Sequence, residues 1–167
     1  MRLFGRCFSM MKNTIGINRL TGLARLTRLA RQVIFNGRQE AKKLNSKHIN
    51  SEHLLLALIK GERGIAANVL VNLRMNFSEI EKEVIKLINN QSEEAKKEND
   101  NFQARKIVMQ AIEESKSLKH NYVGTEDLLL AMLCFKEGIA AQALANLNLD
   151  FDNVRPETER ILDGMKT

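Results

Sequence analysis

Two glutamates could bind a charged ligand, because each follows a hydroxyl residue at the start of a very apolar stretch. Glu52 follows Ser51, and Glu126 follows Thr125. If these stretches are helices, each carboxylate lies at a helix N-terminus, where the helix dipole stabilises negative charge by about 0.3 to 1 kcal/mol. Helix capping alone and ligand binding both stay open as roles for these glutamates.

Catalysis and metal binding find less support in the sequence. His48, His53 and His120 lack the spacing of a metal-ligand set, so we expect no metal site and no cofactor. No nucleophile motif or acid/base pair rises above background, and the phosphate-loop pattern G-x-x-x-x-G-K-[ST] does not occur. The sequence therefore predicts no catalytic residues and a protein that is not an enzyme.

Both glutamates belong to a stretch that occurs twice, 74 positions apart. Residues 44–77 and 118–151 align without a gap and are identical at 14 of 34 positions. Each copy contains Leu-Leu-Leu-Ala directly after the helix start and Gly-Ile-Ala-Ala further on. The chain is therefore a tandem duplication, and each copy is too small to bury its triple-leucine stretch alone.

The composition favours helices over strands. The 167 residues include one Pro, one Tyr and no Trp, and 44% are apolar. Apolar periodicity and turn residues predict four helices in each copy, with Ser51 as the N-cap of the second. The predicted helices span about 26–44, 51–60, 65–73 and 78–89, and then 102–118, 125–135, 139–147 and 152–165.

The net charge of +6 belongs to the N-terminal part of the chain. Eight Arg and Lys residues and no acidic residue precede Glu40, whereas residues 40–167 hold 18 basic and 20 acidic residues. A near-neutral body argues against nucleic-acid binding, and no stretch is apolar enough to be a transmembrane segment. The basic extension, residues 1–24, is either a plain tail or an organelle targeting segment.

The remaining boundaries follow from the duplication. Residues 25–167 form the double domain, with repeat one at 25–90 and repeat two at 102–167. Between them, residues 91–101 are charged and almost without apolar side chains, which is typical of a linker.

The double motif, with Leu-Lys-His-Asn-Tyr-Val-Gly-Thr-Glu leading into its second copy, resembles the Clp N-terminal repeat domain. It is most similar to the ClpC branch of AAA+ unfoldases. Without a phosphate loop, the chain resembles a freestanding, ClpT-like Clp N domain without AAA+ modules, although a fragment of a longer unfoldase would look similar. The resemblance implies an all-α, pseudo-twofold bundle of eight helices that receives substrates and adaptor proteins.

The resemblance also implies a ligand. In ClpC-type domains the glutamate of this motif helps to bind phosphoarginine on tagged substrates, which assigns Ser51, Glu52, Thr125 and Glu126 to a phosphoarginine-like site. Asp127 follows Glu126 where repeat one has a histidine, and we expect its second negative charge to repel a phosphate. Repeat one is therefore the better candidate pocket.

We expect a non-enzymatic accessory or adaptor module of a Clp chaperone-protease system that binds substrates, adaptors or Clp subunits through protein contacts. Its expected partners are Clp unfoldase or protease-core subunits and arginine-phosphorylated substrates. An independent receptor for phosphoarginine-tagged proteins is the alternative, and a decoy for compounds aimed at an unfoldase is a third possibility. With only two cysteines, the default compartment is the reducing cytoplasm, or an organelle if the basic extension is a transit peptide.

Overall fold

The structure, a computed structural model, describes residues 24–92 and 103–166. Nearly all of the basic extension and most of the predicted linker, residues 91–101, lie outside the described residues. Within the described ranges the chain forms eight helices, which confirms the predicted all-α class. They are α1 (Arg28–Lys43), α2 (Ser51–Gly61), α3 (Ile65–Asn72), α4 (Phe77–Asn90), α5 (Gln103–Ser117), α6 (Thr125–Cys134), α7 (Ile139–Asn146) and α8 (Phe151–Met165).

Helices α2 and α6, which carry the triple leucines, form the centre of the bundle. The first nine residues of each helix are buried. A helix that is apolar on all sides must be surrounded by other elements, and burying each leucine stabilises the fold by about 1.5 to 3 kcal/mol. Helix α1 covers α2 in repeat one, and α5 covers α6 in the same way in repeat two.

The two repeats interlock through their third helices. Helix α3 of repeat one packs on α6 and α8 of repeat two, and α7 of repeat two packs on α2 and α4 of repeat one. Each central helix is therefore completed by the opposite repeat, as predicted for a pseudo-twofold bundle whose halves cannot fold apart.

A left-handed residue follows the first and third helix of each repeat. Asn45, Arg74, Lys119 and Asn148 have φ angles of 54°, 60°, 62° and 61°. Such a residue ends a helix by turning the following amide back onto the last turn: the Met75 N–H donates to the Leu70 carbonyl at 2.9 Å. Asn adopts this conformation readily, whereas a long side chain such as Arg74 pays a steric cost.

A short backbone bridge ties the beginning of repeat one to the loop before α6. The Val123 N–H donates to the Arg25 carbonyl at 2.8 Å, and the Thr27 N–H donates to the Val123 carbonyl at 2.9 Å. The Thr27 hydroxyl then caps α1 by accepting from the Ala30 N–H. This bridge fixes the 118–124 loop, which becomes important at the site.

Across the described helices, none is individually long and apolar enough to cross a membrane. Only α6 and α7 taken together have sufficient length and apolar composition, and these two helices are bent by 88° relative to each other.

Candidate functional site

The predicted site residues lie at the first turns of α2 and α6, but Ser51 is not the N-cap of its helix as predicted. The N-cap of α2 is Asn50 and that of α6 is Gly124, so Ser51 and Thr125 are the first helical residues. Their side chains are buried, with Ser51 0% and Thr125 2% exposed. Their hydroxyls are therefore directed away from the amides that they were expected to cap.

Each hydroxyl instead caps a helix of the opposite repeat. The Ala140 N–H, at the start of α7, donates to Ser51 Oγ at 3.2 Å, and the Ala66 N–H, at the start of α3, donates to Thr125 Oγ1 at 3.2 Å. The first amides of a helix have no partner within the helix, and both of these alanines are buried at 0% exposure. The two bonds are related by the pseudo-twofold symmetry and join the repeats reciprocally.

The glycines of the two Gly-Ile-Ala-Ala segments leave the space for these hydroxyls. A Cβ on Gly138 would lie 2.5 Å from Ser51 Oγ, and a Cβ on Gly64 would lie 2.5 Å from Thr125 Oγ1. Gly64 also has a φ of 93°, which favours glycine for a second reason. The glycine of each repeat therefore contacts the hydroxyl of the opposite repeat, and this contact occurs once on each side of the pseudo-twofold axis.

The two motif glutamates are buried carboxylates. Glu52 is 7% and Glu126 is 1% exposed, and burial raises the pKa of each above its ordinary value. Asn50 and Ser51 donate to the Glu52 carboxylate, which lowers its pKa in opposition to burial. Glu126 Oε1, in contrast, is buried and has no hydrogen-bond partner.

The space around Glu126 is set by Gly124. A Cβ at this position would collide with the Glu126 carboxylate, so any other residue at the N-cap of α6 would require that carboxylate to move. In repeat one the equivalent N-cap is Asn50, and its side chain donates to Glu52. The Glu52 carboxylate therefore accepts a hydrogen bond from the N-cap side chain of its helix. The Glu126 carboxylate instead occupies the space that a side chain on Gly124 would need.

The third helical residues, His53 and Asp127, each cap the preceding turn. The Asn50 N–H donates to His53 Nδ1 at 2.9 Å, and the Gly124 N–H donates to Asp127 Oδ2 at 2.7 Å. Burial lowers the pKa of His53 to about 4, whereas burial, reinforced by the charge of Glu126, raises the pKa of Asp127 to about 8. The expected repulsion of a phosphate by Asp127 stays a prediction.

His120, to which the sequence assigned no role, lies beside the two acids of repeat two. It lies in the loop before α6, and its Nε2 is 3.6 Å from Asp127 Oδ1, beyond hydrogen-bond distance. With Glu126, these residues form a group whose potential ligand atoms all lie within 4.8 Å of one another. No other such group of His, Cys, Asp or Glu occurs in the part of the chain that the structure describes.

The organisation in two repeats agrees with a known protein family. The chain matches the Clp repeat (R) N-terminal domain over residues 25–104 and again over residues 101–167. It belongs to the Clp repeat N-terminal domain family. The sequence is also 38% identical over 138 residues to the ATP-dependent Clp protease ATP-binding subunit ClpC of Staphylococcus epidermidis, and 36% identical to ClpC of Staphylococcus aureus strain USA300. These alignments cover 83% of this chain but only 17% of either ClpC protein.

Solved structures with the same fold are also Clp-type N-terminal domains. The N-terminal domain of the caseinolytic protease associated chaperone ClpD from Arabidopsis thaliana superposes with a TM-score of 0.64 and 17% identity, over 88% of this chain and 99% of that one. The Hsp104 N-terminal domain from Candida albicans gives a TM-score of 0.62 and 18% identity, over 80% and 88% of the two chains. At this identity the likeness concerns the fold alone.

For this Clp N domain, the four predicted ligand-binding residues therefore fall into two classes. Ser51 and Thr125 accept hydrogen bonds that join the two repeats. Glu52 and Glu126 are the buried carboxylates that follow them in sequence. The four residues lie in the first turns of α2 and α6. Phosphoarginine binding by these residues stays a prediction.

Proposed function

We propose that this Clp N domain is a non-enzymatic accessory or adaptor module of a Clp chaperone-protease system. The observation that carries the proposal is the family match of both repeats, together with 38% identity to a protein named as an ATP-binding subunit of a Clp protease. The module docks onto Clp unfoldase or protease-core subunits, or onto the substrates and adaptors that those subunits receive.

Side-chain geometry supports a docking role over a catalytic one. Motif residues that could do chemistry are used for structure: Ser51 and Thr125 accept helix-start amides of the opposite repeat, and His53 accepts the Asn50 N–H. With these side chains held in structural hydrogen bonds, contact with other proteins is the role that we propose for the domain.

A reconstitution tests the proposal. The purified chain is mixed with a purified ClpC-type unfoldase, with and without the unfoldase's own N domain, and with the protease core, and each mixture is analysed by sedimentation velocity. We expect a stoichiometric complex with at least one of these subunits, or competition with the unfoldase's N domain for a bound substrate. Absence of both would overturn the accessory role.

Phosphoarginine binding is the second candidate, and an unpartnered acceptor in repeat one favours it. Asn50 Oδ1 is buried without a hydrogen-bond partner next to the Glu52 carboxylate. A guanidinium supplies the donors that a carboxylate and an amide oxygen both accept. Such a ligand would therefore satisfy an acceptor that the fold leaves unused.

Calorimetry with free phosphoarginine tests this candidate. Glu52→Gln should weaken binding at least ten-fold, and the double variant with Glu126→Gln should abolish it. Glu79→Gln is the matched control, since Glu79 also lies in the first turn of a helix but is exposed. Equal binding by Glu52→Gln and Glu79→Gln would exclude a site at the motif.

We further propose a cytoplasmic location, with a plastid or mitochondrion as the alternative. The alternative depends on the basic extension being a transit peptide, and residues 1–23 of that segment lie outside the described residues. Sequencing the N-terminus of the mature protein from its native cell decides between the two.

A further inference from the structure

Three potential ligand atoms converge at the start of α6 without a donor among them. They are His120 Nε2, Glu126 Oε1 and Asp127 Oδ1, and all three are buried and lack a hydrogen-bond partner. One potential ligand atom of each of the three residues lies within 4.8 Å of those of the other two. Buried polar atoms are nearly always partnered, so three orphans in one place indicate a missing positive group.

The tautomer of His120 follows from its other ring nitrogen. Nδ1 lies 2.8 Å from the Tyr122 carbonyl oxygen, which can only accept. Nδ1 therefore carries the hydrogen, and Nε2 presents its lone pair to the two carboxylates. A histidine oriented by a backbone carbonyl through one nitrogen is the usual arrangement of a metal ligand.

The carboxylates are also held in place. Asp127 Oδ2 accepts from the Gly124 N–H at 2.7 Å, which leaves Oδ1 directed at His120. The absence of a Cβ at Gly124 gives the Glu126 carboxylate its position. The Tyr122 ring stacks on the imidazole with its centroid 4.2 Å away and holds the third ligand. The side chains are thus oriented by contacts outside the cluster.

We propose that His120, Glu126 and Asp127 bind one divalent transition-metal ion, with zinc as the best-matched element. Imidazole and carboxylate are ligands that zinc accepts, with bond lengths of about 2.0 to 2.2 Å. Tetrahedral ligand atoms at these lengths are about 3.4 Å apart, so the side chains close in by about 1 Å when the ion binds. A solvent molecule or a partner's side chain takes the fourth position.

Access to the ion lies on the histidine side of the cluster. The His120 side chain is 12% exposed and Tyr122 is 40% exposed, whereas Asp127 is fully buried. The other charged groups that act on the cluster are Glu114, Arg155 and Lys166. Since Arg155 is paired with Glu114 at 3.1 Å, the side chains that an incoming cation meets first are the ligands of the cluster themselves.

Repeat one provides an internal comparison, because it has the same fold without the ligand set. Ser46, Glu52 and His53 stand at the positions of His120, Glu126 and Asp127. The Ser46 hydroxyl donates to the His48 carbonyl at 2.8 Å, and His53 Nδ1 is occupied by the Asn50 N–H. The metal site is therefore specific to repeat two and does not depend on the proposed Clp function.

Titration of the full, chelator-treated chain with Zn²⁺ and, separately, Co²⁺ tests the site. We expect one equivalent of Zn²⁺ by calorimetry, a rise in the melting temperature, and visible Co²⁺ absorption typical of a low-coordinate N/O site. His120→Ser, which installs the repeat-one residue, should weaken binding at least ten-fold and abolish the rise in melting temperature. His48→Ala removes a histidine outside the cluster and should change affinity less than two-fold.

Asp127→Asn keeps the volume of the side chain and its bond to Gly124, so it tests the ligand without removing the cap. It should also weaken Zn²⁺ binding at least ten-fold. If His120→Ser does not fold, the test uses Asp127→Asn instead. In addition, the NMR shift of His120 Nε2 is measured in the wild type as Zn²⁺ is added. No binding, or binding equal in wild type and both cluster variants, would overturn the proposal.

Discussion

The hydroxyl of Ser51 accepts a hydrogen bond from the backbone N–H of Ala140, 89 positions further along the chain. Its counterpart joins Thr125 to Ala66 over 59 positions. Residues that look like local helix caps in the sequence are in fact reciprocal ties between two repeats. The stability of the whole bundle therefore depends on two hydroxyls and the two glycines that face them.

Removing a cross-repeat hydroxyl should destabilise the protein. Ser51→Ala and Thr125→Val each leave a buried helix-start amide without a partner, which costs about 1 to 2 kcal/mol of unfolding free energy. Urea denaturation measures the loss. Ser78→Ala, at an exposed helix-start serine, is the control and should change stability by less than about 0.5 kcal/mol. Equal stability of Ser51→Ala and Ser78→Ala would show that the tie contributes nothing.

Adding a methyl group opposite Ser51 should also destabilise the bundle. Gly138→Ala places a Cβ 2.5 Å from Ser51 Oγ, and overpacking of this kind costs about 1 to 3 kcal/mol. Gly61→Ala meets nothing within 4 Å and should leave stability unchanged or raised by up to about 1 kcal/mol. Thermal unfolding of the pair gives the comparison. A stable Gly138→Ala protein would contradict the close approach of the repeats.

His53 should make stability depend on pH. Its pKa is lowered to about 4 in the fold and is about 6.5 in the unfolded chain, so only the unfolded chain takes up the proton between these values. The contribution of His53 is therefore complete above pH 6.5, falls by about 3 kcal/mol as the pH drops to 4, and is constant below.

The variant His53→Asn isolates this effect. Asparagine can accept the Asn50 N–H but does not titrate, so the fall in unfolding free energy between pH 6.5 and 4 should be smaller than in the wild type by about 3 kcal/mol. Urea denaturation at several pH values measures the difference. Parallel curves for the two proteins would mean that the pKa of His53 is the same in the folded and in the unfolded chain.

Arg74 offers a stabilising substitution. Its φ of 60° is costly for a long side chain, so Arg74→Gly should raise the unfolding free energy by about 0.5 to 1 kcal/mol. Asn148 has a φ of 61° at the same position of repeat two and already tolerates it, so Asn148→Gly should gain less. Chemical denaturation of both variants tests this order. A larger gain for Asn148→Gly would contradict the explanation.

The fold was largely predictable from local patterns. The repeated Leu-Leu-Leu-Ala stretches, the helix-start residues and the turn residues placed eight helices, and the observed ends differ from the predicted ones by no more than two residues.

The site was less predictable, because its contacts are not local. Nothing in the sequence around Ser51 indicates an acceptor for Ala140, since that bond exists only once the third helices have crossed to the opposite repeat. His120 was not predicted as a site residue because it lies in a loop, six positions before Glu126. The residue spacings by which metal ligands are recognised on helices or in zinc fingers do not include such a pair. The sequence pattern that could have indicated the site is a histidine a few residues before two adjacent acidic residues at the start of a helix.

The measurement that tests the account most directly is affinity purification of the tagged protein from its native cell, followed by mass spectrometry. If the protein is a Clp accessory module, Clp unfoldase or protease-core subunits are recovered in a fixed ratio to the tagged chain. The Gly61→Ala variant, used as a control, should recover the same amount of these subunits. Their absence from the recovered material, in cells that contain those subunits, would contradict the assignment to the Clp system.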